Sequence, residues 1–385
     1  MKVVIAIDSF KGSLTSLEAA NAIKSGILKV YENADVVISP LADGGEGTTY
    51  ALTKGMGGEF RKLNVCGPLE NTKVEASYGI IRSNKTAIIE MSSAAGITLV
   101  DESKKNPLYT TTYGVGEIIQ DAITQGCRNF IVGIGGSATN DGGIGMLQAL
   151  GYEFLDKDNK KISLGGIGLK NLDRIDDSKV IKELKNCNFK IACDVTNPLC
   201  GENGCSAVFG PQKGASKEMI VSLDEWLKKY AVLSKKINPK ADENYPGTGA
   251  AGGLGFAFLT FTNAKLASGI DIVLKETKLE EKIIDSDIVI TGEGRLDKQT
   301  VMGKAPIGVA NIAKKYDKKV IAFAGCVTKD AVLCNENGID AFFPILREVV
   351  TLEEAMDKKV SIYNMQETAR EVFSLIKAVG NCKLE

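Results

Sequence analysis

Phe130-Ile-Val-Gly-Ile-Gly-Gly-Ser-Ala-Thr-Asn-Asp-Gly-Gly-Ile-Gly145 is the stretch on which the reading of this chain turns. Three apolar residues, Phe130 to Val132, suit a buried strand. The chain then breaks into glycines and small polar residues, and a helical pattern resumes at Ile144. A strand that empties into a glycine-rich loop ahead of a helix is a natural anion site. Backbone N–H groups and the positive end of the helix meet there. Gly133-Ile-Gly-Gly-Ser-Ala138 also fits the Gly-x-Gly-x-x-Ala dinucleotide fingerprint. In a chain with 41 glycines that fit alone carries little weight. Asn140-Asp-Gly-Gly143 also stands where the fingerprint would want a helix.

Upstream of this loop, Val115, Ile118, Ile119, Ala122 and Ile123 make a helical stripe that Gly126 closes. Before it, Phe60–Val65, Val74–Ile81 and Ala87–Met91 read as strands joined by short links, which suits antiparallel hairpins. The N-terminus is different. Val3–Ile7 reads as a buried strand, Thr15-x-x-Glu18 as a capping box, and Val36–Ser39 as a second strand, a βαβ-like seed of a parallel sheet. Downstream, Phe189–Cys193 is a strand, Gly165–Asp177 an irregular loop, and Met219, Leu223, Trp226, Leu227 and Tyr230 a core-facing helix. From Asp287 the chain returns to alternating strands and helices and completes the N-terminal unit. Residues 1–60 plus 285–385 are therefore expected to form one discontinuous domain, with 61–284 inserted.

The length, 385 residues, suits two domains, and a net charge of −1 gives no general attraction to nucleic acid or anionic membrane. No apolar run approaches the ~18 residues of a span or the length of a secretory signal. Nine cysteines without a Cys-x-x-Cys pair suit reduced thiols in a cytoplasm. Histidine is absent, which excludes Ser-His-Asp and Cys-His catalysis and His-metal sites. Carboxylates, lysines, arginines and backbone amides remain. Phosphoryl transfer needs little else besides Mg²⁺.

Ligands in open α/β sheets bind at the carboxyl ends of strands. Five groups fall there: Asp8 with Lys11, Asp43, Ser137 to Asp141, Asp194, and Glu293 with Arg295 and Asp297. One such carboxylate alone is more often a helix cap. Five groups from both halves point to an active cleft between two domains. Lys11, Lys213, Arg295 and Lys304 lie near these loops. Singly, each reads as a solvated surface charge, except Arg295, whose fork between two glycine turns suits a carboxylate or phosphate. Gly247-x-Gly-x-x-Gly252 matches the dinucleotide form but follows a Pro-containing loop rather than a strand. No Walker motif and no ribokinase-like Gly-x-Gly-Asp occurs. An NAD(P)-dependent 2-hydroxyacid dehydrogenase, with Glu153 near the ribose position, and a non-catalytic carboxylate- or nucleotide-binding sensor stay open as alternatives.

Seven motifs occur in order: Asp8-Ser-Phe-Lys-Gly12, Ala42-Asp-Gly-Gly-Glu-Gly-Thr48, Gly135-Gly-Ser-Ala-Thr-Asn-Asp-Gly-Gly143, Asp194-Val-Thr-Asn-Pro-Leu199, Gly210-Pro-Gln-Lys-Gly214, Pro246-Gly-Thr-Gly-Ala-Ala-Gly-Gly253 and Thr291-Gly-Glu-Gly-Arg-Leu-Asp297. From Met1 to about Val379 the chain resembles the bacterial type I glycerate kinases. The resemblance implies ATP-dependent phosphorylation of D-glycerate with Mg²⁺, usually giving 2-phosphoglycerate, with 3-phosphoglycerate as the other product. It also implies a discontinuous Rossmann-like parallel-sheet domain with an inserted flavodoxin-like α/β domain carrying some antiparallel strands.

The two readings together assign expected roles. Asp194 is general base or Mg²⁺ ligand, and Asp141 is a second candidate metal ligand. Gly135, Gly136, Ser137, Thr139, Asn140, Gly249 and Gly252 hold the nucleotide. Lys11, Arg295 and Lys304 neutralise the substrate carboxylate and the transferring charge, while Asp8, Asp43, Glu293 and Asp297 bind and orient. The expected partners are D-glycerate and ATP, with no nucleic acid and no membrane, in a monomer or homodimer.

Overall fold

The structure, a computed structural model, describes residues 1–42, 45 and 47–380. Among these residues the strands are, in chain order, β1 (Lys2–Ile5), β2 (Asp35–Ile38), β3 (Glu59–Cys66), β4 (Lys73–Ile81), β5 (Thr86–Glu90) and β6 (Asn129–Gly133). They continue with β7 (Glu153–Leu155), β8 (Arg174–Asp176), β9 (Asn188–Ala192), β10 (Asn263–Ala267), β11 (Ile288–Leu296), β12 (Lys319–Val327) and β13 (Ala341–Pro344).

The chain divides into two compact units. The first comprises the described residues of Met1–Asp43, Tyr50–Met56 and Ile270–Glu385, and the second those of Gly44–Thr49 and Gly57–Gly269. The sequence reading drew its second border at 284/285.

In the first unit the sheet order is β13-β12-β11-β1-β2, parallel throughout. This is a Rossmann-like sheet in the broad, doubly wound sense. Counted in its own five strands the order is 2-1-3-4-5, so the winding reverses between β1 and β11. Val3, Ile5, Ile290 and Phe323 form the middle of its core, as buried parallel strands require. The helix Ser16–Leu28 starts at the expected capping box. Thr15 Oγ1 accepts the Glu18 N–H at 3.3 Å, and Glu18 Oε2 accepts the Thr15 N–H at 3.0 Å. This helix packs on the long helix Lys358–Gly380, and a Cβ at Gly26 would overlap the Gln366 carbonyl oxygen of that helix.

The second unit carries a mixed sheet, β10-β9-β6-β5-β4-β3. β3, β4 and β5 pair antiparallel, as their short links require. From β5 onward the pairing is parallel, because the helix Tyr113–Thr124 carries the chain across to β6. The stripe Val115, Ile118, Ile119, Ala122 and Ile123 is buried against the sheet. Phe130 and Phe189 stack across β6 and β9 with centroids 4.6 Å apart. Part of the stretch expected as irregular loop, Gly165–Asp177, is ordered. Gly166–Asn171 is a 3₁₀ helix, and β8 pairs antiparallel with β7.

β11 continues past its apolar run because Gly292 lets it. With φ of 151° and Phe323 alongside, a Cβ at Gly292 would overlap the Phe323 carbonyl oxygen. Gly292→Ala is therefore expected to destabilise the protein by roughly 2 kcal/mol or more. Chemical denaturation of the variant beside wild type checks this; an unchanged midpoint would contradict the constraint.

Candidate functional site

In the first unit, β1 and β11 run side by side with Ile5 opposite Ile290, and both deliver polar residues beyond their apolar runs. This is the point where the winding of the sheet reverses, the general location of ligand sites in doubly wound folds. A cavity of about 540 Å³ lies here. Asp8, Lys11, Glu293, Arg295, Asp297 and Lys304 all line it, so six residues expected from distant parts of the sequence share one cavity. Asp43 lies outside the described residues.

Local chemistry fixes these side chains. Glu293 Oε1 accepts the Thr300 hydroxyl at 2.6 Å, and Lys304 Nζ lies 3.5 Å from Glu293 Oε2. Burial pushes the Glu293 carboxyl above its ordinary value, and the Thr300 hydroxyl and Lys304 oppose that shift. Thr300 Oγ1 also accepts the Asp297 N–H at 3.1 Å, and Arg295 Nε lies 3.6 Å from Asp297 Oδ2. Lys304 is the N-cap of the helix Ala305–Lys314, with Pro306 in its first turn. Its positive end therefore joins three cations around the cavity. Ile345, Leu346, Leu352 and Met356 supply an apolar wall. Such a site suits a small anion with hydroxyl groups.

In the second unit, β6 and β9 pair with Gly133 opposite Ala192, so Gly135 and Asp194 leave the sheet edge at the same level. Gly135 and Gly136 are exposed, and Ser137 is at the rim of the buried region. The turn is pinned from below. Ile97 N–H donates to the Gly136 carbonyl at 2.8 Å, and Ala138 N–H to that of Ala95 at 2.9 Å. Asp194 is exposed, and its Oδ1 accepts the Gly269 N–H at 3.0 Å, at the start of the helix Gly269–Glu276.

Three expectations change here. Asp141 is not placed as a metal ligand. It is wholly buried, and its carboxylate accepts Thr112 N–H at 2.8 Å, Thr112 Oγ1–H at 2.9 Å, Gly143 N–H at 3.0 Å and Gly145 N–H at 3.3 Å. Burial pushes its carboxyl up while these four donors pull it down. Gly249 and Gly252 sit where chain packs on chain. Both are buried, and a Cβ would strike the Pro198 carbonyl at the first and the Thr139 carbonyl at the second. These glycines let two loops pack, with Gly142 N–H donating to the Gly252 carbonyl at 2.9 Å. Thr139 and Asn140 are also fully buried. Asn140 Nδ2 donates to Ser206 Oγ at 2.8 Å, whereas Thr139 Oγ1 and Asn140 Oδ1 have no partner among the described residues.

Sequence reasoning missed one residue. Lys213, which reads as a surface charge, is buried, and its Nζ donates to Ser137 Oγ at 2.8 Å. The motif Gly210-Pro-Gln-Lys-Gly214 marked the place without revealing that the ammonium points inward.

The family model described as the glycerate kinase family matches residues 3–377. The glycerate 2-kinase of Escherichia coli is 51% identical over 355 residues, which cover 92% of this chain and 93% of that one. The glycerate kinase of Bacillus subtilis is 47% identical over 377 residues, 98% of each chain. A crystal structure described as that of a candidate glycerate kinase 2 from Salmonella typhimurium superposes with a TM-score of 0.91 at 46% identity, covering 99% of this chain and all of that one.

Asp141→Ala should leave four donors unmatched inside the second unit and destabilise the protein by about 3 kcal/mol or more. Thermal denaturation measures this. A variant of wild-type stability that has lost only its response to Mg²⁺ would restore the metal role.

Proposed function

We propose, from the premise that this chain belongs to the glycerate kinase family, that it transfers the γ-phosphoryl group of ATP to the 2-hydroxyl of D-glycerate. The observation that carries this reading is the cavity at the winding reversal of the first unit. It gathers three cations, three carboxylates and a helix N-terminus around a space suited to a small hydroxy acid. The 2-position follows the name of the Escherichia coli relative. Glycerate carries one carboxylate and two hydroxyls. Arg295, with Lys11 and Lys304, suits the carboxylate and the charge that builds on the transferring group. Glu293 and Asp297 hold Lys304 and Arg295 in place, and Asp8, which lines the same cavity, accepts a substrate hydroxyl in this reading.

The nucleotide phosphates belong to the second unit in this reading, at the exposed turn Gly135–Gly136 and the hydroxyl of Ser137. Asp194, on the neighbouring strand end, serves as base for the acceptor hydroxyl or as the carboxylate that carries Mg²⁺. Mg²⁺ is typically held by one or two carboxylates together with substrate phosphates, and the exposed Asp194 beside a phosphate-binding turn fits that donor set. When bound, Mg²⁺ neutralises charge on the phosphate oxygens. The lack of histidine is no handicap, since transfer rests on positioning and electrostatics. Among the described residues eight cysteines are free and no helix is long and apolar enough to cross a membrane, which supports placement in a reducing cytoplasm.

A coupled assay with D-glycerate and Mg·ATP, followed by phosphorus NMR of the product, tests this reading. Glycerate-dependent ADP and a 2-phosphate ester are expected. Absence of glycerate-dependent ADP would overturn the kinase reading, and a 3-phosphate ester would overturn the regiochemistry. Asp194→Asn should keep the fold and lower kcat by ~10²-fold or more; near-normal turnover would remove Asp194 from both roles.

A further inference from the structure

Among the described residues Lys213 is the only lysine or arginine that is buried, with 3% of its surface exposed. It ends a single 3₁₀ turn, Pro211–Lys213, closed by Gly214 at φ 88°. Lysine usually buries its stem and leaves the ammonium in water; here the ammonium itself is inside. Nζ donates to Ser137 Oγ at 2.8 Å and to the Thr139 carbonyl at 2.6 Å, so the charge sits directly beneath the exposed turn Gly135–Gly136.

Among the described residues no carboxylate pairs with it directly. The ionisable groups that act on it are Cys205, on the helix Cys205–Phe209, and Asp141, on the glycine loop. Burial pushes the Cys205 thiol up to about 11, so it stays neutral. Asp141 favours the ammonium through space, but its oxygens bond to four other donors and do not touch Nζ. Lys105, whose carbonyl packs on Gly214, is paired through its own side chain with Glu102. Burial pulls the Lys213 ammonium down to about 8. A buried cation with no carboxylate in contact costs the fold stability, and an anion arriving from outside would relieve it.

We propose that Lys213 is the built-in counter-charge of a phosphate site on the outer face of the Gly135–Ser137 turn, acting through the Ser137 hydroxyl. The inference rests on the kinase reading for the identity of the anion, a nucleotide phosphate. An ammonium has three donors and no acceptor. While Lys213 is charged it can only donate to Ser137 Oγ, which leaves the serine proton to point at an anion beside Gly135 and Gly136. Once Lys213 is neutral its lone pair can accept that proton, and the serine turns inward. Lys213 is thus a positioning residue whose protonation sets whether the turn presents a donor.

The sign of the pH effect follows. Anion binding favours charged Lys213 and so raises its pKa, and binding above about pH 8 must take up a proton. Calorimetric titration of the full chain with Mg·ADP at pH 8.5, in buffers of different ionisation enthalpy, reads that uptake directly. About three quarters of a proton taken up is expected, with affinity falling about eightfold from pH 8.5 to 9.5. Lys213→Met should bind more weakly and take up none, and Lys213→Arg, charged at all these pH values, should lose the pH dependence. Binding without proton uptake in wild type, or uptake that persists in Lys213→Met, overturns the role of Lys213 and leaves the kinase reading standing. No binding of Mg·ADP at all overturns both. The wild-type titration decides the matter even where a variant fails to fold.

Discussion

A single buried carboxylate organises the second unit. Asp141 ties the end of the β6 loop to Thr112, at the start of the helix Tyr113–Thr124, and to the first turn of the helix Ile144–Ala149. Thr112 Oγ1 donates to Asp141 and accepts the Met146 N–H at 2.9 Å, so one hydroxyl joins both helices to the loop. Charge-assisted hydrogen bonds of this kind are the strong ones, and inside a protein they fix geometry because every alternative leaves a buried charge unmatched. The turn Gly135–Ser137 inherits that rigidity, since the loop that carries it is anchored at its far end. Positioning of this kind is what phosphoryl transfer asks of a protein.

The first unit reaches a comparable result through a different device. Its central parallel strands β1 and β11 carry buried apolar runs, Val3 to Ile5 and Ile288 to Ile290, and the charged residues that line the cavity come only after those runs. The reversal of winding between β1 and β11 then leaves a crevice, and residues from both strands fill its rim. Gly292 extends β11 alongside β12 as far as Leu296, carrying Glu293 and Arg295 to the cavity. Carboxylates and cations alternate there, so Arg295 and Lys304 each stand within 4 Å of an acidic neighbour that orients them.

Much of this was legible in the residues. The capping box at Thr15, the helical stripe from Val115 and the hairpins of β3, β4 and β5 follow from local patterns that tertiary packing reinforces. The cavity lining of the first unit was legible because strand ends are where ligands bind. What failed was orientation. A glycine needed for phosphate approach and one needed for chain packing look alike, and at Gly249 and Gly252 the structure shows close chain packing. An aspartate that caps and one that binds metal look alike too, and Asp141 is of the first kind. Lys213 was missed because nothing local says that a lysine between glycines points inward. The pair β7 and β8 has three residues per strand, too short for alternation to show.

In the proposed reaction the phosphoryl group passes directly between two bound substrates, with the protein supplying position and charge and no covalent intermediate. The stereochemical course at phosphorus tests it most directly, using ATP made chiral at the γ-position with sulfur and oxygen isotopes and D-glycerate as acceptor. A single in-line displacement predicts inversion of configuration in the phosphoglycerate formed. Retention would mean two displacements through a phosphorylated side chain and would rule out direct transfer.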